Sequence, residues 1–159
     1  MINKEFDIVI FGATSFVGKI LCHYLVNEYT EPNLTWAMAA RSETKLKELK
    51  ASLGANAAAI PLVIADSADE LGLQTMCKKT ELVISTVGPY ALYGELLVKT
   101  CCQLGTDYCD LTGEPQWISR MISRYEDEAK RSGARIVNCC GFDSIPSDLG
   151  VKFLQDHAQ

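Results

Sequence analysis

The stretch GATSFVG, Gly12 to Gly18, comes directly after the apolar run FDIVIF, Phe6 to Phe11, and directly before the pattern KILCHYLV. A glycine permits the sharp bend that ends a strand, and a second glycine further on lets a helix pack closely on a sheet. A strand, a glycine turn and a helix in this order predict the first unit of an α/β fold.

The same alternation runs through the rest of the chain. Helical patterns span 16–29, 43–54, 68–80, 93–105 and 116–133. They separate six predicted strands: Phe6–Phe11, Leu34–Ala40, Ala59–Ala65, Glu81–Thr86, Thr106–Leu111 and Ala134–Cys140. Near-continuous apolar strands joined by helical crossovers predict a doubly wound α/β fold with a parallel six-stranded sheet, the NAD(P)-binding Rossmann fold.

Composition narrows the class of protein. A chain of 159 residues has the size of one domain, so we expect 1–159 to form a single dinucleotide-binding unit. A net charge of -5 without a basic block argues against nucleic-acid binding, and the apolar runs are too short to span a membrane. The start MINKEF leads directly into a strand, which favours a cytoplasmic protein without a signal peptide. Seven cysteines without metal-ligand spacing predict reduced thiols and no metal site.

Ligands of such sheets bind beyond the carboxyl ends of the strands. After the first strand, backbone N–H groups at the start of a helix can face a pyrophosphate. Ser15 stands where such turns usually carry glycine, and we expect its hydroxyl to donate to phosphate while allowing a less close approach. The predicted phosphate contacts are Gly12, Ala13, Thr14, Ser15, Phe16 and Val17.

The second strand ends at Arg41, which is 23 residues (41 minus 18) after Gly18. A dinucleotide fold that prefers NAD places a carboxylate near this point, to bind the ribose 2′-hydroxyl. A guanidinium instead suits a 2′-phosphate, so the sequence favours NADP(H) over NAD(H), with Ser42 and Lys45 assisting Arg41.

The next two strand ends provide further contacts. Asp66 and Ser67 follow the third strand, where they can cap the next helix or contact the adenine amino group, and the sequence leaves both open. After the fourth strand, a stiff turn of Thr86, Val87, Gly88 and Pro89 is predicted to pass beneath the nicotinamide ribose.

The last two strand ends carry carboxylates. Asp110, Glu114 and Asp143 are candidate substrate-side groups, although each also suits a loop or a cap. Beyond them, Pro146 is predicted to begin a helix that Ser144 or Ser147 caps.

Four stretches together resemble the saccharopine dehydrogenase-like oxidoreductases, which include the trans-acting enoyl reductases: GATSFVG, AARSETKL, TVGPYALYGELLVKTCCQLGTDYCDLTGEP and GFDSIPSDLGV. The resemblance implies a Rossmann domain that binds NADP(H) for hydride transfer to or from an unidentified substrate. It carries cofactor roles to Gly12–Val17, Arg41, Asp66 and Thr86–Pro89.

The resemblance also implies that this domain begins a longer protein. The chain ends about where a second, substrate-binding domain begins in the family, so we expect a fragment that is inactive alone and a possible homodimer of the full-length protein. The family usually has glycine in place of Ser15. It also commonly has histidine before the Cys-Gly of the last stretch, where this chain reads Asn138-Cys139-Cys140-Gly141, so no histidine role is carried over.

Two alternatives remain open at this stage. Cys139 or Cys140, after the sixth strand, can serve as the nucleophile of an acylating semialdehyde dehydrogenase if a helix N-terminus lowers the pKa of the thiol. Alternatively, the chain can be a non-catalytic NADP(H)-sensing module, because a Rossmann fold does not by itself establish catalysis.

Overall fold

The computed structural model describes residues 4–29 and 33–158, so residues 1–3, 30–32 and 159 of the predicted domain lie outside the described residues. The strands are β1 Phe6–Phe11, β2 Trp36–Ala40, β3 Leu62–Ile64, β4 Thr80–Ser85, β5 Asp107–Asp110 and β6 Ile136–Val137. The helices are α1 Phe16–Asn27, α2 Glu43–Ser52, α3 Glu70–Cys77, α4 Tyr90–Tyr93, α5 Glu95–Leu104, α6 Pro115–Ser132 and α7 Ile145–His157.

All six strands pair in parallel, in the order β3-β2-β1-β4-β5-β6. This order confirms the predicted Rossmann-type sheet. The strand order reverses between β1 and β4, whose ladder runs from the pair Phe6 and Thr80 to the pair Phe11 and Ser85. The carboxyl edge at this switch point is where a Rossmann sheet binds its ligand.

The two edge strands are shorter than predicted. A 3₁₀ turn at Ala55–Ala57 brings the chain to β3 late, so only three residues pair there. Beyond Val137, the N–H of Cys139 donates to the Asp110 carboxylate and the N–H of Cys140 to the Asp110 carbonyl. Both bonds depart from the regular pairing of β5 with β6, and β6 therefore ends after two residues.

The sheet separates two apolar cores. One face packs against α3, α5 and α6 and buries large side chains that include Val83, Tyr108 and Trp117. The other core joins α1 and α2 to β1, β2 and β3 only, around Ile10 and Met38. Within the described residues, coverage of the second face is therefore concentrated over one half of the sheet.

Candidate functional site

The glycine turn after β1 tolerates no side chain at either end. Gly12 has a φ of +90°, and a Cβ there would lie 2.7 Å from Thr86 Oγ1 and 2.7 Å from Val87 Cγ2. A Cβ at Gly18 would overlap the carbonyl oxygen of Gly12 and come within 2.9 Å of Ala13 backbone carbons. The turn and α1 are thus packed on each other and on the segment after β4.

Ser15 is the N-cap of α1. Its Oγ accepts the Gly18 N–H at 2.9 Å and lies 2.9 Å from Thr86 Oγ1. Thr86 Oγ1 in turn donates to the Gly12 carbonyl oxygen at 2.9 Å. Because the Thr86 hydroxyl has one proton, which this bond uses, the Ser15 hydroxyl donates to Thr86. The predicted donation from Ser15 to a phosphate would have to replace this internal bond.

Three backbone donors at the start of α1 are available to a ligand. Among the hydrogen bonds of the described residues, none involves the N–H of Thr14, Phe16 or Val17. Orphan N–H groups at the N-terminus of a twelve-residue helix, together with the positive end of its dipole, suit an anion. The residues present therefore fit a pyrophosphate at this turn.

A cleft of about 290 Å³ adjoins this turn at the carboxyl edge of the sheet. Its walls come from the segments that follow β1, β2, β3 and β4. Eight predicted site residues line it: Gly12, Thr14, Ser15, Arg41, Ser67, Thr86, Val87 and Gly88. Four other lining residues were not predicted, namely Phe11, Ala40, Ala65 and Tyr93. Tyr93 is an aromatic side chain left partly exposed on the short helix α4, within the stretch that carries the family resemblance.

Six predicted contacts lie outside the cleft lining. Ala13 is fully buried in the core below α1, whereas the side chains of Phe16 and Val17 are exposed. The remaining three are Ser42, Asp66 and Pro89. A role for Ala13, Phe16 or Val17 would therefore be carried by the backbone and not by the side chain.

Arg41 is an exposed cation at the cleft wall. No carboxylate of the described residues lies within ion-pair distance of it. The adjacent Ser42 caps α2 by accepting the Lys45 N–H at 3.3 Å. Lys45 lies with Thr14 and Lys19 on a neighbouring cleft between α1 and α2. An unpaired guanidinium beside a helix N-terminus is well placed for a bound anion.

The helix cap suggested for Asp66 and Ser67 is wrong. Asp69 is the N-cap of α3 and accepts the Leu71 N–H at 3.1 Å. Asp66 closes a short turn by accepting the Ala68 N–H at 2.9 Å. The sequence offers three polar residues in four positions, and only the path of the chain selects Asp69 as the cap.

Two of the carboxylates considered for substrate binding hold loops together. Asp110 is 2% exposed and accepts four bonds, from the Tyr108 hydroxyl, the Asn138 amide and the backbone N–H groups of Thr112 and Cys139. Burial first, and the Asp110 charge second, raise the pKa of Tyr108, so this phenol stays protonated and donates. The network links the ends of β5 and β6.

Glu114 is the second of these structural carboxylates. It accepts the Tyr90 N–H at 2.7 Å and the Ala91 N–H at 2.9 Å, and so caps the start of α4 from a distant part of the chain. Asp143 is exposed in the turn before α7. The caps predicted for α7 are not formed by side chains, because Ser144 makes no such bond and Ser147 lies inside the helix.

The structure does not favour Cys139 or Cys140 as a nucleophile. Helix α7 begins at Ile145, so its N-terminus is several residues away from Cys139 and Cys140. Burial, followed by the nearby Asp110 charge, raises the pKa of Cys140. A raised pKa lowers the thiolate fraction at neutral pH, which is opposite to what the semialdehyde dehydrogenase alternative requires.

Alkylation with iodoacetamide at pH 7 tests this point. We expect Cys140 to react more slowly in the folded chain than in denaturant, because the thiolate is the reactive form. Peptide mass spectrometry after timed quenching measures the rate, and a Cys140→Ser variant identifies its contribution. Faster labelling in the folded chain than in denaturant would restore Cys140 as a candidate nucleophile.

A larger cavity of about 460 Å³ lies elsewhere, between α5, α6 and β6. Its lining is mainly apolar, and its single lysine, Lys130, pairs with Glu126 at 2.9 Å. Its lining therefore offers no free cation to a dinucleotide phosphate. In the described parts of the chain, no cluster of three or more metal-ligating side chains occurs, and no helix is both long and apolar enough to cross a bilayer.

Two relatives are similar to this chain over nearly its whole length. The lipid droplet localized protein of Caenorhabditis elegans is 42% identical over 156 residues, which is 96% of this chain and 37% of that protein. The trans-acting enoyl reductase of Mycobacterium bovis is 45% identical over 149 residues, which is 94% of this chain and 35% of that protein. The chain thus spans little more than a third of the length of these relatives.

A solved structure shows the same fold. Apo saccharopine dehydrogenase (L-Glu forming) from Saccharomyces cerevisiae superimposes with a TM-score of 0.75 at 20% identity, over 94% of this chain and 30% of that one. The family model described as saccharopine dehydrogenase NADP binding domain matches residues 8–137, from β1 to the end of β6. The chain therefore belongs to the saccharopine dehydrogenase NADP-binding domain family, whose cofactor is NADP.

Proposed function

We propose that the cleft at the carboxyl edge holds NADP(H), with its pyrophosphate on the N–H groups of Thr14, Phe16 and Val17. The 2′-phosphate then lies against Arg41, and the turn that starts at Thr86 lies beside the nicotinamide ribose. The observation that carries the proposal is the set of orphan N–H donors at the start of α1, adjoining a cleft with an unpaired arginine on its wall. A dinucleotide that carries an extra phosphate satisfies both features.

When bound, the cofactor supplies the hydride, and this chain supplies its placement and charge complementarity. The cleft walls shield one side of the cofactor from water, and Arg41 balances the negative charge of the phosphate. Relatives that are named as enoyl reductases support a catalytic role over a sensing role. They also support an activated carbon–carbon double bond as the hydride acceptor.

The remainder of the catalytic site is proposed to lie in a second domain. The relatives are almost three times as long as the part that this chain matches, which supports that arrangement. Asp110 and Glu114 are engaged in structural hydrogen bonds, and Asp143 is exposed outside the cleft lining. The substrate-side acid or base is therefore proposed to come from that domain. We further propose a cytoplasmic location and a homodimer for the longer protein.

Titration of the 159-residue chain with NADPH and NADH tests cofactor binding. We expect NADPH to bind at least about tenfold more tightly, because a charge-assisted hydrogen bond contributes about 1.5–3 kcal/mol. Isothermal titration calorimetry at low and high salt measures both affinities. Equal affinities for the two cofactors, or no binding of either, would contradict the proposal.

A further inference from the structure

A chain of hydroxyl groups crosses the switch point of the sheet. Ser15 Oγ lies 2.9 Å from Thr86 Oγ1, which lies 2.9 Å from the Gly12 carbonyl oxygen and 3.3 Å from that of Phe11. Thr86 is 8% exposed, so these bonds are largely shielded from water. Because each hydroxyl has a single proton, the Ser15 hydroxyl donates to Thr86, and the Thr86 hydroxyl donates to a carbonyl oxygen of the turn after β1.

This chain of bonds joins two loops that are far apart in sequence. Ser15 belongs to the phosphate turn after β1, and Thr86 begins the turn after β4, 71 residues further on. The β1–β4 ladder ends at Phe11 and Ser85, so beyond that pair the two segments are held by the Thr86 N–H to Phe11 bond and by the hydroxyls. Beyond the end of the ladder, side-chain hydrogen bonds thus help to connect the two segments.

The turn after β1 and the turn after β4 are in close contact. The contacts that a Cβ at Gly12 would make with Thr86 and Val87, both at 2.7 Å, show that the loops already touch. A dinucleotide in the cleft meets the phosphate turn at one end and the Thr86 turn nearer its nicotinamide end. The relative position of the loops therefore matters more for a whole dinucleotide than for its adenosine half.

We propose that Ser15 and Thr86 form a positioning pair that sets the distance between the two loops and thereby the affinity for the nicotinamide half of the cofactor. The proposal rests on the function proposed above for the cleft. It assigns to Ser15 a role that glycine, which has no hydroxyl group, cannot perform. Ser15 acts through Thr86 and through the loop geometry, without a required contact to phosphate.

Thr86→Val separates this role from the helix cap, because it removes the hydroxyl link, nearly preserves the shape and leaves the Ser15 bond to Gly18 intact. We expect Thr86→Val to weaken NADPH binding about fivefold, the equivalent of one hydrogen bond. Binding of 2′,5′-ADP, which lacks the nicotinamide half, is expected to stay unchanged. Calorimetry with both probes measures the difference.

Variants at Ser15 complete a double-mutant cycle with Thr86→Val. Ser15→Gly removes the bond to Thr86 together with the bond to Gly18. Glycine is nearly as favourable as serine at an N-cap, so a folded protein is expected even if Thr86→Val does not fold. The two substitutions together are expected to weaken NADPH binding by less than the sum of their separate effects, because the bond between Ser15 and Thr86 can be lost only once. Ser15→Thr retains a hydroxyl, so its affinity for NADPH is expected to match that of the unmodified chain.

Asp69→Ala is the matched control, because it removes the N-cap of α3 without removing a residue that lines the cleft. We expect it to lower stability while NADPH affinity is unchanged. An equal loss of affinity for NADPH and 2′,5′-ADP in Thr86→Val or Ser15→Gly would assign a merely structural role and overturn the proposal, as would no loss in either. Failure of the unmodified chain to bind NADPH would instead overturn the proposed function.

Discussion

Replacing Gly18 with alanine is expected to lower the free energy of unfolding by more than about 3 kcal/mol and to abolish NADPH binding. The new methyl group would overlap the Gly12 carbonyl oxygen and crowd the Ala13 backbone. The N–H groups of Gly12 and Ala13 both donate to the Ala39 carbonyl oxygen, so this backbone cannot move aside as a flexible side chain does. Helix α1 would have to shift away from the sheet, which would displace the orphan N–H groups.

Urea denaturation followed by circular dichroism measures the stability change. Gly150→Ala is the matched control, since a Cβ at this exposed position in α7 would meet no atom within 4 Å. There the substitution is expected to be neutral or to stabilise by up to about 1 kcal/mol, through helix propensity alone. Similar unfolding midpoints for the two variants would show that Gly18 is not needed for close packing.

Arg41→Ala is expected to weaken NADPH binding at least about tenfold and to leave NADH binding nearly unchanged. The guanidinium has no carboxylate partner among the described residues, so its removal leaves no buried charge unpaired. The loss is therefore expected in cofactor selectivity and not in stability. Calorimetric titration of both cofactors measures the ratio of affinities, and thermal unfolding measures stability.

Two further variants separate shape from charge. Arg41→Lys keeps the charge but loses the planar fork of donors, so we expect an intermediate selectivity. Lys47→Ala removes a positive charge from the exposed side of α2, where Lys47 pairs with Glu43, and is expected to change neither affinity. If Arg41→Ala lowered the affinities for NADPH and NADH by the same factor, that result would show that Arg41 does not bind the 2′-phosphate.

Local patterns predicted β1, the glycine turn and α1 well, because their signals lie within one continuous stretch. The first strand was predicted to its observed bounds, and α1 begins where the pattern indicated. The edge strands were predicted less well. Their ends depend on whether a neighbouring strand is present to pair, which a run of apolar residues such as Ala134–Cys140 does not encode.

Side-chain roles show the same division. Arg41 was placed at the cleft because the end of β2 must lie at the carboxyl edge of a parallel sheet. Asp110 and Glu114 also lie near that edge, but they are engaged by Asn138 and by the backbone of Tyr90 and Ala91. Their partners come from other loops, so the type of residue and its position along the chain could not separate a substrate ligand from a structural carboxylate.

The sequence by itself determined the α/β class, the parallel sheet, the glycine turn before α1 and the place of Arg41 at the end of the second strand, because each follows from residues that are close along the chain. Only the tertiary structure decided how the loops meet. The bond between Ser15 and Thr86 spans 71 residues and exists because β1 and β4 are neighbours in the sheet. Because of that pairing, Ser15, which departs from the usual glycine motif, forms a contact between the two sides of the cleft.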